Sequence, residues 1–329
     1  MDGRPRVHDC FLLLNEETVL RARLSLLRDV VDRFVIVEAT TTFQGDPRLA
    51  FLPTLSELPV PADRLVHVCV RASDLPTGTS AWDRQSIQRD AILRGLEGAS
   101  GDDLVLVSDV DEIPRPEVIE RLRDELNVPV SLGMRFSYYR TNLVAPEPWS
   151  KAKACRLSQL TSPQQLRWER SLPVVEDAGW HVSYLGDEDA AARKLRSISA
   201  AQYASDRWTS RRHLERSIRL GVRLQGEIVF DLVPDGECVP TITRDAYPEL
   251  FHPGRGRLQT VLARAYCFTA EHRDRLPNWL TDGFPPLAFA AAVALRGSRW
   301  LLHQTYRARQ KAVLEIGRLR RSGPPPKGR

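Results

Sequence analysis

Long apolar runs are missing from this chain of 329 residues. The stretch at 287–295, LAFAAAVAL, offers nine apolar residues before Arg296, too few to span a bilayer, which takes about 20. The start, MDGRPRVHDCFLLLNEE, reaches an acidic pair before any long apolar segment, so neither a signal peptide nor a membrane anchor is expected. Cysteine is sparse: Cys10, Cys69, Cys155, Cys238 and Cys267 are odd in number and form no CxxC pair. That pattern argues against a disulfide framework and a structural zinc site, and favours a reducing compartment. No zinc finger or RRM signature accompanies the net charge of +5, so nucleic acid is not an expected partner. The basic balance is left to serve phosphate-bearing substrates or an anionic membrane surface. No internal repeat is visible.

What is present alternates strand and helix. Residues 7–14 form a short apolar run ending at Asn15-Glu16, the pattern of a buried strand. Val19, Leu20, Leu24, Leu27, Val30 and Val31 then recur with helical spacing. Further strands are predicted at 34–37, ending in Glu38, at 65–70 and at 104–107. Ser80 and Asp83 have capping-box spacing and open a predicted helix running to about Gly95. Pro114 and Pro116 end the extended chain and start a helix over 117–126. Such alternation predicts an α/β sheet with parallel strands. Strand-like pieces broken by prolines and aromatics fill 130–185, and the chain is predicted mainly helical after Glu188. The Pro/Gly/Lys/Arg-rich end, 322–329, reads as a disordered tail.

The sharpest local feature is LVLVSDVDEIP at 104–114. An apolar strand delivers Asp109 and Asp111 to its carboxyl end, where ligands bind in open α/β sheets. Neighbouring carboxylates repel unless a cation compensates them. Mg²⁺ or Mn²⁺ suits such oxygens and can also take phosphate oxygens from a substrate. A solvated acidic turn capping the next helix is the plainer reading. A haloacid-dehalogenase-type phosphohydrolase also places D-x-D after a strand, with Asp109 then the nucleophile, but its motif lies near the start of its domain. Three strand-like segments precede it in this chain. His181 sits in GWHVSY (179–184), where Trp180, Val182 and Tyr184 share one face of an alternating strand and His181 takes the other. An imidazole there could complete a metal shell that carboxylates begin. Trp149, Trp180 and Tyr184 are sugar platforms or core aromatics. Glu112, Glu147 and Asp187 are the carboxylates available as general base.

Three blocks resemble glycosyltransferase family 17. They are DCFLLLNEETVLRARLSLLRDVVDRFVIVEATTTFQG (9–45), RQSIQRDAILRGLEGASGDDLVLVSDVDEIPRPEVI (84–119) and AGWHVSYLG (178–186), the last followed by KLRSIS (194–199). The resemblance covers about residues 8–225 and implies a GT-A fold, a Rossmann-like mixed α/β sheet. It implies a metal-dependent inverting transferase that moves N-acetylglucosamine from a UDP-sugar donor to a saccharide acceptor. In such a sheet the nucleotide lies over the ends of the first strands, so Asn15 and Glu38 become candidate nucleotide contacts. Arg84 or Arg89, on the helix at 80–95 that also carries Gln88, could fork onto a phosphate or onto Asp109. The metal set implied is Asp109, Asp111 and His181.

The expected organisation is a GT-A domain over 5–225, a mainly helical extension over 226–321, and the tail. A non-catalytic nucleotide- or glycan-binding module would keep the same fold. In the extension, Trp300, Leu301 and Leu302 lie near Arg296, Arg299, Arg307 and Arg309, the composition of an interfacial helix on anionic lipid or of an ordinary helix with a basic face. A cytoplasmic protein, peripheral on the inner face of the membrane, is the expected setting.

Overall fold

The computed structural model describes residues 4–224 and 228–271, which fall into two compact units, 4–224 with 228–256 and, separately, 257–271. The first unit opens with β1 (Val7–Leu12), α1 (Glu17–Leu27), β2 (Arg33–Ala39), β3 (Leu65–Val70), α2 (Ala81–Asp90), α3 (Ile92–Gly95) and β4 (Leu104–Asp109). β1 pairs in parallel with β2 on one side and β4 on the other, and β2 pairs in parallel with β3. All of β1, all of β2 but Arg33, and all of β4 but Asp109 are buried. Parallel strands need cover on both faces, which is why these segments read as apolar runs. Phe11, Phe34, Ile36 and Leu106 face Leu20, Leu24 and Leu27 of α1, while Cys10, Val35, Val37 and Val107 face Ile92 and Leu96.

The chain continues through β5 (Glu112–Pro114), α4 (Pro116–Glu125), β6 (Val130–Tyr138), β7 (Arg140–Val144), β8 (Lys153–Arg156), α5 (Pro163–Trp168), β9 (Val174–Ser183), α6 (Glu188–Ser197), α7 (Asp206–Thr209), α8 (Arg211–Leu220) and β10 (Asp231–Leu232). α9 (Arg257–Glu271) belongs to the second unit. The sheet runs β10-β7-β6-β8-β4-β1-β2-β3, with β9 beside β6 and β5 beside β9. β8 is antiparallel to β4, β6 antiparallel to β8, and β9 parallel to β6, so the sheet is mixed.

The four predicted strands and the helices after Glu16 and Pro114 stand where the sequence puts them. Ser80 and Asp83 cap α2 reciprocally, at 3.2 and 3.3 Å. The helix predicted to Gly95 is broken at Ala91, whose N–H bonds the carbonyls of Arg89 and Ile87. Beyond the break, Gly95 lies so close to β2 that a Cβ would collide with Val35. Residues 228–256 differ from the expected helical extension. β10 pairs with β7, the Thr241 hydroxyl donates to the Ala22 carbonyl at 3.0 Å, and Val239, Ile242 and Phe251 join the core around α1. The periodicity of α6 to α8 does not carry on into this segment. Among the described residues no helix is long and apolar enough to cross a membrane. The expectations for 287–295, for the basic segment around Trp300 and for the tail lie outside the described residues.

Candidate active site

The turn after β4 is set by a guanidinium buried beneath it. Arg23 occupies the apolar stripe of α1 and is fully buried. It forks onto Asp9 of β1 at 2.6 and 2.8 Å. Its remaining donors reach the Ser108 hydroxyl at 2.7 Å and the carbonyls of Asp109, Val110 and Glu112 at 2.9, 3.2 and 2.8 Å. A side chain with five donors in a fixed fork can hold a carboxylate and a tight turn together. Arg23 therefore fixes the backbone from which Asp109, Asp111 and Glu112 project.

Those three carboxylates meet different surroundings. Asp109 takes Arg89 on one oxygen at 2.8 Å and Arg167 on the other at 2.6 Å. Burial opposes its ionisation, but the two guanidiniums outweigh that cost and hold the carboxyl below its ordinary range. Glu112 is fully buried, bound by both terminal nitrogens of Arg167 at 2.7 Å, by the indole N–H of Trp149, and by the Asp109 N–H at 2.9 Å. It is a brace for the turn and has no oxygen to offer as a base. Asp111 points the other way. The Lys194 ammonium donates to its Oδ2 at 2.7 Å, and His181 Nε2 lies 3.5 Å from the same oxygen. Burial again opposes ionisation, and Lys194 and His181 reverse it strongly, so Asp111 stays charged.

Asp111 and His181 meet because β5 and β9 pair, with Glu112 opposite His181, and because Val182 N–H bonds the Asp111 carbonyl at 2.9 Å. Gly179 permits the approach, since a Cβ there would collide with the Ile113 carbonyl. The His181 ring stacks on Phe136 at 4.7 Å and packs against Trp149 at 4.6 Å, while its Nδ1 has no hydrogen-bond partner. Tyr184 leaves the alternation of β9 with a φ of 52°, a left-handed conformation rare for an aromatic residue.

Asp109, Asp111, Trp149, His181, Tyr184, Lys194 and Gln88 line a cavity of about 230 Å³ at the carboxyl ends of β1 and β4. A second cavity of about 430 Å³ shares Glu16, Tyr184 and Lys194 with it and adds Asn15, Arg140, Asp187 and Arg193.

Several expected contacts lie elsewhere. Glu38 is fully buried, and its oxygens accept from Arg48 and from the N–H groups of Phe51 and Leu52 at 2.7 and 2.8 Å. It clamps the following loop and does not line the cavity. Arg84 donates to the Phe43 carbonyl at 3.0 Å and steadies the same loop. Trp180 is a core residue, its indole N–H on the Glu237 carbonyl at 2.9 Å and Arg115 over its ring at 4.1 Å. Glu147 is exposed and lines neither cavity. Asp187 caps α6 by accepting from Ala190 N–H at 2.8 Å and lines the second cavity. Arg167, Lys194 and Glu16 were not singled out as site residues by sequence.

The metal can be tested against these donors. Among the described residues no group of three or more His, Cys, Asp or Glu side chains is arranged to hold an ion. Asp109 has one oxygen on Arg89 and the other on Arg167 and lines the cavity beside Asp111. Asp111 with His181 remains, one carboxylate and one imidazole, and the Asp111 oxygen nearest His181 also takes the Lys194 ammonium. A divalent ion there would draw its other ligands from substrate phosphates and water.

A mixed sheet whose parallel strands end at an acidic turn, with basic and aromatic side chains around a cavity, is the GT-A arrangement of enzymes that use nucleotide sugars. The model of glycosyltransferase family 17 matches residues 1–242, and the chain belongs to that family. It is a glycosyltransferase, and the phosphohydrolase alternative is set aside. A comparison with curated proteins gave no match.

Proposed function

We propose that the cavity beside Asp111 takes the diphosphate of a UDP-sugar, and that the sugar, N-acetylglucosamine, passes with inversion to a saccharide hydroxyl held in the second cavity. The observation that carries this reading is the placement of His181 and Lys194 around one carboxylate oxygen of Asp111 at the carboxyl ends of β1 and β4. Mn²⁺ or Mg²⁺ would be held by Asp111 and His181; when bound, it supplies neutralisation of the charge on the departing diphosphate. Arg89 and Arg167 hold Asp109 and the turn in place, so little reorganisation is needed as charge develops. Trp149 and Tyr184 supply aromatic faces to the sugar. Of the carboxylates available as base, Asp187 is the one we assign, because it lines the second cavity while Glu112 is sealed and Glu147 lies outside.

Metal-dependent hydrolysis of donors without an acceptor tests the reading. UDP release from UDP-N-acetylglucosamine should exceed that from UDP-glucose and UDP-galactose. A clear preference for a GDP- or dTDP-sugar would overturn the donor while leaving the fold. No hydrolysis or transfer of any donor would instead make the chain a binding module.

A further inference from the structure

The cation nearest Asp111 is a side chain. Lys194, in the third turn of α6, bridges Asp111 Oδ2 at 2.7 Å and Glu16 Oε1 at 3.1 Å. Glu16 is itself anchored, its other oxygen accepting the N–H groups of Leu14 and Asn15 at 3.1 and 3.0 Å. The ammonium is thus tied to the ends of β1 and β4 at once. It carries three donors and spends two on these carboxylates. Lys194 also lines both cavities, together with Glu16 and Tyr184. Without Lys194, two carboxylates would face an incoming diphosphate and repel it. The other cationic side chain lining the first cavity, Arg48, is committed to Glu38 and to the carbonyls of Ala39 and Leu14.

We propose that Lys194 is a resident cation for the donor diphosphate, placed where the two cavities meet, so that a nucleoside diphosphate binds this protein even when no divalent ion is present. The proposal rests on the donor reading above. It makes Lys194 a diphosphate contact and Glu16 the residue that positions it.

Calorimetric titration of the full chain with UDP and with uridine, each in EDTA and in Mn²⁺, tests this in wild type, Lys194→Met and Lys194→Arg. Wild type should bind UDP in EDTA. Lys194→Met should lose about tenfold or more of that affinity, the scale of one charge-assisted contact, and keep its affinity for uridine. Lys194→Arg, which retains the charge, should stay within about threefold of wild type for UDP. Unchanged UDP affinity in Lys194→Met overturns the role of Lys194 while the donor reading stands. Equal losses for UDP and uridine overturn it too, because they mark a structural residue. Wild type that binds UDP in Mn²⁺ but not in EDTA removes the resident cation alone. Wild type that binds UDP under neither condition removes the donor reading and the proposal with it.

Discussion

Asp109 and Asp111 stand two residues apart on one turn, yet they belong to different regions of the molecule. Asp109 faces the helical layer of α2 and α5, where Arg89 and Arg167 take both its oxygens. Asp111 faces β9 and α6, where Lys194 and His181 share one oxygen beside a cavity. The same contrast runs through the fold. Charges in the parallel half, Asp9 with Arg23 and Glu38 with Arg48, are consumed by backbone and by each other. Charges on the β9 and α6 side border open volume. The D-x-D tripeptide thus splits its partners, two guanidiniums on Asp109 and an ammonium on Asp111, while both carboxylates line the same cavity.

The comparison breaks most sharply at Arg23. Replacing it with Met leaves Asp9 buried and unpaired and frees three carbonyls of the turn, so the loss in unfolding free energy should be about 3–5 kcal/mol. Denaturant titration measures it, and a loss below about 1 kcal/mol would mean the turn does not depend on this pair. On the other side of the comparison, Asp187→Asn should spare stability, because Asn caps a helix as well as Asp. Turnover should nevertheless fall by about 10²–10⁴, the usual contribution of a general base. Transfer kinetics at wild-type levels would return Asp187 to a purely capping role.

The smallest effect concerns Glu38. Burial raises its pKa, but His67, the N–H groups of Phe51 and Leu52, and Arg48 together bring it below 4.5. A carboxyl depressed on folding contributes stability above its unfolded pKa and loses it as pH falls through the folded value. Glu38→Gln should therefore cost about 1–3 kcal/mol at neutral pH and flatten the acid limb of the stability curve below 4.5. An unchanged acid limb would show that the clamp is not titrating.

Much of the parallel half was legible because its signals are local. Apolar runs gave β1 to β4, spacing gave α1, and the capping pair gave the start of α2. Asp9 inside an apolar strand and Arg23 on the apolar stripe of α1 form a buried pair that the sequence reading did not single out, although charges at core positions are the local signal for one. The site was legible only in part. Asp111 and His181 could be named from their strands, but Arg167 and Lys194 reach the turn from 58 and 83 residues away. Nothing local distinguishes them from surface cations. Glu38 was read as a strand end facing ligand because the loop that folds back over it leaves no periodic trace. Trp180 could not be separated from Tyr184 by alternation, since the left-handed turn at Tyr184 takes that ring out of the strand's pattern.

The division between the two carboxylates is tested most directly by UDP titration of Asp111→Ala with and without Mn²⁺, beside its thermal unfolding. Loss of Mn²⁺-dependent UDP binding in a protein that still unfolds cooperatively is the predicted result. UDP affinity equal to that of wild type would contradict the assignment of Asp111 to the ligand.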